Sequence, residues 1–218
     1  MPVTAVGFDL DDTLAVTERP RDELLADATD AVGAPALSRD EYLDAHGRHL
    51  GSETRRPIFA DLLSEEGDVS PDELTEAYRT AILDALEPLE GVTDLFETLR
   101  RDYRVGVLTN GPVVAQRGKL AELGWDGRFD AAVVTGELDA GKPDRRAFEA
   151  LCAELDSSPN ETVYVGDDPE MDVRGAKDAG LLAVQVLYSN GPEPEPAADA
   201  YVERDALVAT LPDVLASL

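Results

Sequence analysis

From residue 92 onward, short apolar runs alternate with segments whose apolar residues recur three and four apart. This rhythm limits what the chain can fold into more than any other feature. Strands are expected at 104–109, 131–135, 162–165 and 182–187, and helices at 92–101, 113–123, 145–155, 170–179 and 205–218. One more apolar run, 3–8 (VTAVGF), precedes them and stops at an acidic cluster. Strands separated by helices return to pair in parallel, so the expected fold class is α/β, a doubly wound parallel sheet of Rossmann-like form.

Between the first strand and this alternation the spacing is helical throughout, over 22–32, 39–50, 56–63 and 72–86. Gly33-Ala34-Pro35 and Gly67 break the stretch, and Ser38 and Ser70 have the positions of helix N-caps. Residues 17–88 are therefore expected to form an inserted helical domain, with residues 1–16 and 89–218 making the core. The Pro-rich segment 190–198 (NGPEPEPAA) is expected to be an exposed loop without function.

Charge excludes several classes of partner. The chain has 46 Asp and Glu against 19 Lys and Arg, a net charge of −27 over 218 residues. A broad nucleic-acid or anionic-membrane surface is incompatible with that balance. The acids are spread along the whole chain, the pattern of a solvated coat, and the coat is similar to that of proteins from salt-accumulating organisms. Screening falls from a length of ~30 Å at 0.01 M salt to ~3 Å at 1 M, so self-repulsion is tolerable only in brine. The melting temperature should therefore rise between about 0.1 and 2 M KCl; a flat profile in calorimetry would count against this. The single cysteine, Cys152, excludes a disulfide framework or a cysteine zinc site. With no apolar run of ~18 residues and no basic-then-apolar leader, a soluble cytoplasmic protein is expected. Composition leaves the oligomeric state open.

In open parallel sheets, ligands sit beyond the carboxyl ends of the strands. Here those ends carry Asp9-Leu10-Asp11-Asp12-Thr13, then Thr109-Asn110-Gly111, then Gly166-Asp167-Asp168 with Asp172 close behind; Gly141-Lys142-Pro143 follows the third strand. Clustered carboxylates repel one another unless a cation joins them. An oxygen-only donor set suits Mg²⁺. Lysine, threonine and asparagine are suited to holding phosphate oxygens.

These four segments, in order and each at a strand end, resemble the motifs of the haloacid dehalogenase superfamily of phosphohydrolases. Asp9, Asp11 and Thr13 match its Asp-x-Asp-x-Thr, Thr109 its second motif, Lys142 its third, and Gly166, Asp167 and Asp172 its fourth. The helical insertion is similar to the family's C1-type cap, with hinges expected at 15–20 and 87–91. The resemblance implies a Mg²⁺-dependent phosphatase acting on a small phosphorylated metabolite. Asp9 would be the nucleophile that forms an aspartyl-phosphate, and Asp11 the general acid and base. The Asp9 side chain, the Asp11 carbonyl and Asp167 would bind Mg²⁺. Thr109, Asn110 and Lys142 would hold the transferring oxygens, and Asp172 would complete the metal shell or orient Lys142.

Two other chemistries of the same superfamily use similar parts. A dehalogenase needs neither Asp11 nor Asp167, whereas a phosphomutase uses all of them. A receiver-like signalling module also groups acids, Thr and Lys, but its phosphorylated aspartate lies on a middle strand with no insertion of about 70 residues. Asp12 is read as a loop-holding residue, and Asp168 as either that or a ligand. His46 and His49, with no third ligand, are read as surface or substrate-facing side chains. Arg55 and Arg56 are read as helix-surface charges, with one of the two facing the core. Trp125 and Cys152 read as packing residues, Thr13 serves either the turn or the phosphate, and Lys119 and Lys177 receive no role.

Overall fold

The computed structural model describes residues 2–63 and 68–218. β1 (Ala5–Phe8) leads through β2 (Ala15–Thr17) into four helices, α1 (Arg21–Val32), α2 (Arg39–Arg48), α3 (Arg56–Leu62) and α4 (Pro71–Asp84). The chain returns through β3 (Leu86–Pro88) to α5 (Val92–Leu99), β4 (Arg104–Thr109), α6 (Val113–Glu122) and β5 (Ala131–Val134). Next come α7 (Arg145–Glu154), β6 (Thr162–Gly166), α8 (Gly175–Asp178), β7 (Leu182–Leu187), β8 (Ala200–Glu203) and α9 (Leu207–Ser217).

Six of these strands form one parallel sheet in the order β5-β4-β1-β6-β7-β8. β1 is buried along its whole length between β4 and β6, which is why its sequence is continuously apolar. Strands after the insertion first add outward from β4 to β5; α7 then carries the chain to the other side of β1. The direction of winding therefore reverses at β1, and a crevice opens beyond the ends of β1, β4 and β6. Alternate residues feed two apolar layers. Phe8, Val105, Val107 and Val165 face α5 and α9, packing on Phe96, Leu99 and Leu211. Leu108 and Tyr164 face α7 and α8, packing on Phe148, Leu151 and Cys152. Trp125 is buried edge-on to Phe96, with ring centroids 5.2 Å apart.

The four helices of 21–84 bury a third apolar cluster of their own, in which Tyr42 touches both Phe59 and Tyr78. Capping boxes start α2 (Ser38 with Glu41) and α4 (Ser70 with Glu73), reciprocally satisfying amides that the first turn leaves free. This helical unit sits against the strand ends. The first amides of α6, on Val113 and Val114, donate to the carbonyls of Ser52 and Glu53 at 3.2 and 2.9 Å.

Several sequence expectations change. Residues 15–17 and 86–88 pair antiparallel, so the segments read as hinge loops contain a two-stranded ribbon. At three residues per strand, neither leaves a readable alternation. Strand β8 (Ala200–Glu203) falls between the expected loop and the last expected helix, where no strand was expected. The segment 190–198 is anchored: Glu195 is buried, its amide donates to Gln185 Oε1 at 2.7 Å, and its carboxylate accepts from Arg174 Nε at 2.9 Å. The expected helix at 170–179 begins as a π-helical turn, Pro169–Arg174, before becoming α8. Gly67, read as a breaker, lies outside the described residues.

Candidate active site

The site is assembled at the winding reversal. Asp9 is the first residue past β1, held by its amide on Val165 O at 2.9 Å. Lys142, 3% exposed, reaches it from the loop after β5: Nζ donates to Asp9 Oδ1 at 2.7 Å, Asp172 Oδ1 at 2.6 Å and the Tyr164 hydroxyl at 2.9 Å. All three donor positions of the ammonium are thereby used. Asn110, at the end of β4, pins the backbone of that lysine. Its Oδ1 accepts from the Lys142 amide and its Nδ2 donates to the Lys142 carbonyl, both at 2.9 Å. The sequence assigned this side chain to substrate; it lines the cavity and in this structure also positions Lys142.

Asp172 is turned back under the end of β6 by the π-helical turn, where its Oδ2 accepts from the Asp168 amide at 3.0 Å. A Cβ on Gly166 would collide with the Asp172 carboxyl, so only glycine fits at the end of β6. Asp168, left open between two roles, caps that turn, accepting from the Glu170 and Met171 amides. Thr13 Oγ1 and the Tyr188 hydroxyl each donate to Asp167 at 3.2 Å, so Thr13 serves Asp167 through its side chain.

Carboxylate oxygens of Asp9, Asp167 and Asp172 lie within 4.8 Å of one another. Burial, with the neighbouring carboxylates adding to it, pushes Asp9 up to about 7 and Asp167 up to about 8. Such crowding of hard oxygen donors is what a divalent cation relieves, so the donor set fits Mg²⁺. The Asp11 side chain is not in this group; only its carbonyl remains for a metal.

Asp11 is held elsewhere. Its Oδ1 accepts from Arg21 of α1 at 2.6 Å and its Oδ2 from Lys119 of α6 at 2.5 Å. Burial alone would raise this carboxyl, but the two cations outweigh it and hold Asp11 well below the usual range. Burial and the nearby Arg21 and Arg55 drive Lys119 down to about 8, with Asp11 opposing them. Gln116, one turn before Lys119, ties Asp11 to the end of β4: its Nε2 lies 3.2 Å from Asp11 Oδ2, 2.7 Å from Thr109 Oγ1 and 2.7 Å from the Asn110 carbonyl.

Sequence reasoning missed Lys119, Arg21 and Gln116. Lysine scarcity was a usable signal for the first. Only three lysines stand beside sixteen arginines, and two of them, Lys119 and Lys142, are buried here. Of the histidines, His46 lines the cavity, whereas His49 pairs with Asp61 at 2.9 Å. Of the arginine pair, Arg55 is buried on the cavity and Arg56 is exposed, paired with Asp72.

The helical unit closes over these residues to leave a cavity of about 270 Å³. Fold and site define a Rossmann-like enzyme with an acidic, lysine-bearing rim under a helical cover. The family model for haloacid dehalogenase-like hydrolases matches residues 3–180, and the chain belongs to that family. A phosphoserine phosphatase of Thermus thermophilus is 40% identical over 154 residues, 68% of this chain and 61% of that protein. This chain thus spans less than two thirds of that relative's length. A glyceraldehyde 3-phosphate phosphatase of Methanopyrus kandleri is 29% identical over 90% of this chain and 89% of its own. Among solved structures, a HAD phosphatase from Thermococcus onnurineus superposes with a TM-score of 0.72 at 26% identity, covering 98% of both chains. Among the described residues, no helix is long and apolar enough to cross a membrane.

Proposed function

We propose that this chain is a Mg²⁺-dependent phosphomonoesterase that hydrolyses a small phosphorylated metabolite through an aspartyl-phosphate on Asp9. The observation that carries the reading is the meeting of Asp9, Lys142, Asp167 and Asp172 at the winding reversal. The similarity to phosphatases of phosphoserine and glyceraldehyde 3-phosphate supports the reaction class and a small substrate.

Asp9 attacks phosphorus in line, forming an O–P bond as the ester P–O bond breaks. Lys142 holds the Asp9 carboxyl in register and stabilises charge on the transferring oxygens, with the Thr109 hydroxyl beside it. The leaving alkoxide takes its proton from Asp11. Water then attacks the phosphorus of the aspartyl-phosphate and returns a proton to Asp11, restoring both carboxyls. Arg21 and Lys119 hold Asp11 in the ionised form that this second half needs, so the first half requires Asp11 to gain a proton as the substrate enters. Asp9, Asp167 and the Asp11 carbonyl, with Asp172 close by, would hold Mg²⁺, which would supply positive charge to the phosphoryl oxygens. Residues 17–88 act as the cap, with the β2–β3 ribbon as its hinge. The acidic coat suits a protein working in concentrated salt.

The experiment is phosphate release from para-nitrophenyl phosphate with Mg²⁺ or with excess chelator, at about 2 M KCl. Turnover undiminished by chelator would contradict the reading. Stability gives a second readout. Asp9 and Asp167 have folded values above the ordinary carboxylate range, so the folded chain holds more protons than the unfolded one between about pH 4 and 8. Metal-free protein should therefore lose stability as pH rises through that window, and Mg²⁺ at pH 8 should restore it. Melting temperatures that rise with pH in chelator would oppose this.

A further inference from the structure

Among the described residues, every acidic residue facing the cavity comes from the strand-end loops: Asp9, Asp11, Asp12, Asp167, Asp168 and Asp172. The helical unit contributes none among the described residues, although the chain has 46 acids against 19 bases. It contributes arginines instead. Arg21 is matched to Asp11, as Lys142 is to Asp9 and Asp172. Arg39 and Arg55 have no carboxylate oxygen within 4.0 Å among the described residues.

These two arginines are held in a crossed arrangement on two buried tyrosines. The Arg39 guanidinium lies over the Tyr42 ring at 5.1 Å and donates to the Tyr78 hydroxyl at 3.3 Å. Arg55 lies over the Tyr78 ring at 5.4 Å and donates through Nε to the Tyr42 hydroxyl at 3.0 Å. The tyrosine rings pack edge to face at 5.2 Å, which fixes both guanidinium groups without neutralising either. His46, stacked on Tyr42, registers the resulting field. Burial, then the charges of Arg55, Lys119 and Arg39, bring it down to about 4. Arg55 is 7% exposed, and a guanidinium so enclosed is costly without a counter-charge. A planar fork of N–H donors matches a carboxylate or a phosphoryl group.

We infer that Arg39 and Arg55 form a second anion subsite on the helical wall of the cavity, and that the preferred esters carry a carboxylate or second phosphoryl group on the leaving alcohol. The inference rests on the phosphomonoesterase reading and deepens it. The test compares kcat/KM for 3-phosphoglycerate, fructose 1,6-bisphosphate and glycerol 3-phosphate, whose leaving alcohol is uncharged. Wild type should favour at least one anionic ester over glycerol 3-phosphate by about tenfold or more. Arg39→Gln and Arg55→Gln should each cut that ratio by about tenfold or bring it close to one, mainly through KM. Arg39 is the more exposed of the two, so its variant keeps the test alive if Arg55→Gln does not fold. Equal or better turnover of glycerol 3-phosphate, or a ratio unchanged in a folded variant, would overturn the subsite. Para-nitrophenyl phosphate separates the two levels. Its turnover without any anionic preference removes the subsite alone, whereas no turnover of any ester removes the phosphatase reading as well.

Discussion

Asp9→Asn is expected to lower turnover by about 10⁴-fold or more while leaving the fold intact. The amide fills the same space but has no anionic oxygen to attack phosphorus, and losing a nucleophile outright has effects of that order. Stability should move the other way. Asp9 sits buried among like charges and is pushed up to about 7, so an uncharged isostere relieves repulsion with Asp167 and Asp172. Lys142 keeps Asp172 and the Tyr164 hydroxyl as partners. In chelator near pH 8, the melting temperature of the variant should match or exceed that of wild type. Residual turnover within about tenfold of wild type would mean that another group attacks phosphorus.

Lys142→Met should damage both activity and stability. The methionine fills the buried channel but leaves Asp9 and Asp172 facing each other with no cation between them. Breaking a buried pair in this way costs about 3–5 kcal/mol. At roughly 2–4 °C per kcal/mol for a chain of this size, the melting temperature should fall by about 6–20 °C. Turnover should drop about 10³-fold, as when a preorganised positive charge beside the transferring oxygens is removed. The stability deficit should shrink as pH falls from 8 toward 5, because Asp9 then takes up a proton and its burial becomes less costly. A variant with wild-type melting and activity would show that the buried triad of Asp9, Lys142 and Asp172 is incidental.

What the sequence made legible follows from where the information lies. β1, β4, β6 and β7 are buried on both faces, so their apolar runs stand out, and the chemistry sits within a few residues of three strand ends. Asp9 and Asp167 could therefore be read locally, and Lys142 from its place in the loop after β5. Arg39 and Arg55 could not, because each reaches the cavity only once the helical unit docks on the strand ends, and Lys119 meets Asp11 only once α6 packs beside β1. The same holds for the Asp11 side chain, whose partners lie 10 and 108 residues away. The bonds from Asn110 to the Lys142 backbone could not be read locally, because only the fold brings residue 142 within its reach. The β2–β3 ribbon and β8 are too short for period-two alternation to register. The π-helical turn left no mark in the apolar spacing, yet it aims Asp172 at Lys142.

Chemical trapping reaches the centre of this account most directly. The wild-type chain would be mixed with Mg²⁺ and a turned-over ester, quenched in acid, treated with borohydride and digested for mass spectrometry. An acyl phosphate on Asp9 should be reduced to homoserine at position 9, with no such product from Asp9→Asn or from protein never given ester. Steady turnover that leaves residue 9 as unmodified aspartate under those conditions, or that places the reduced residue elsewhere, would contradict it.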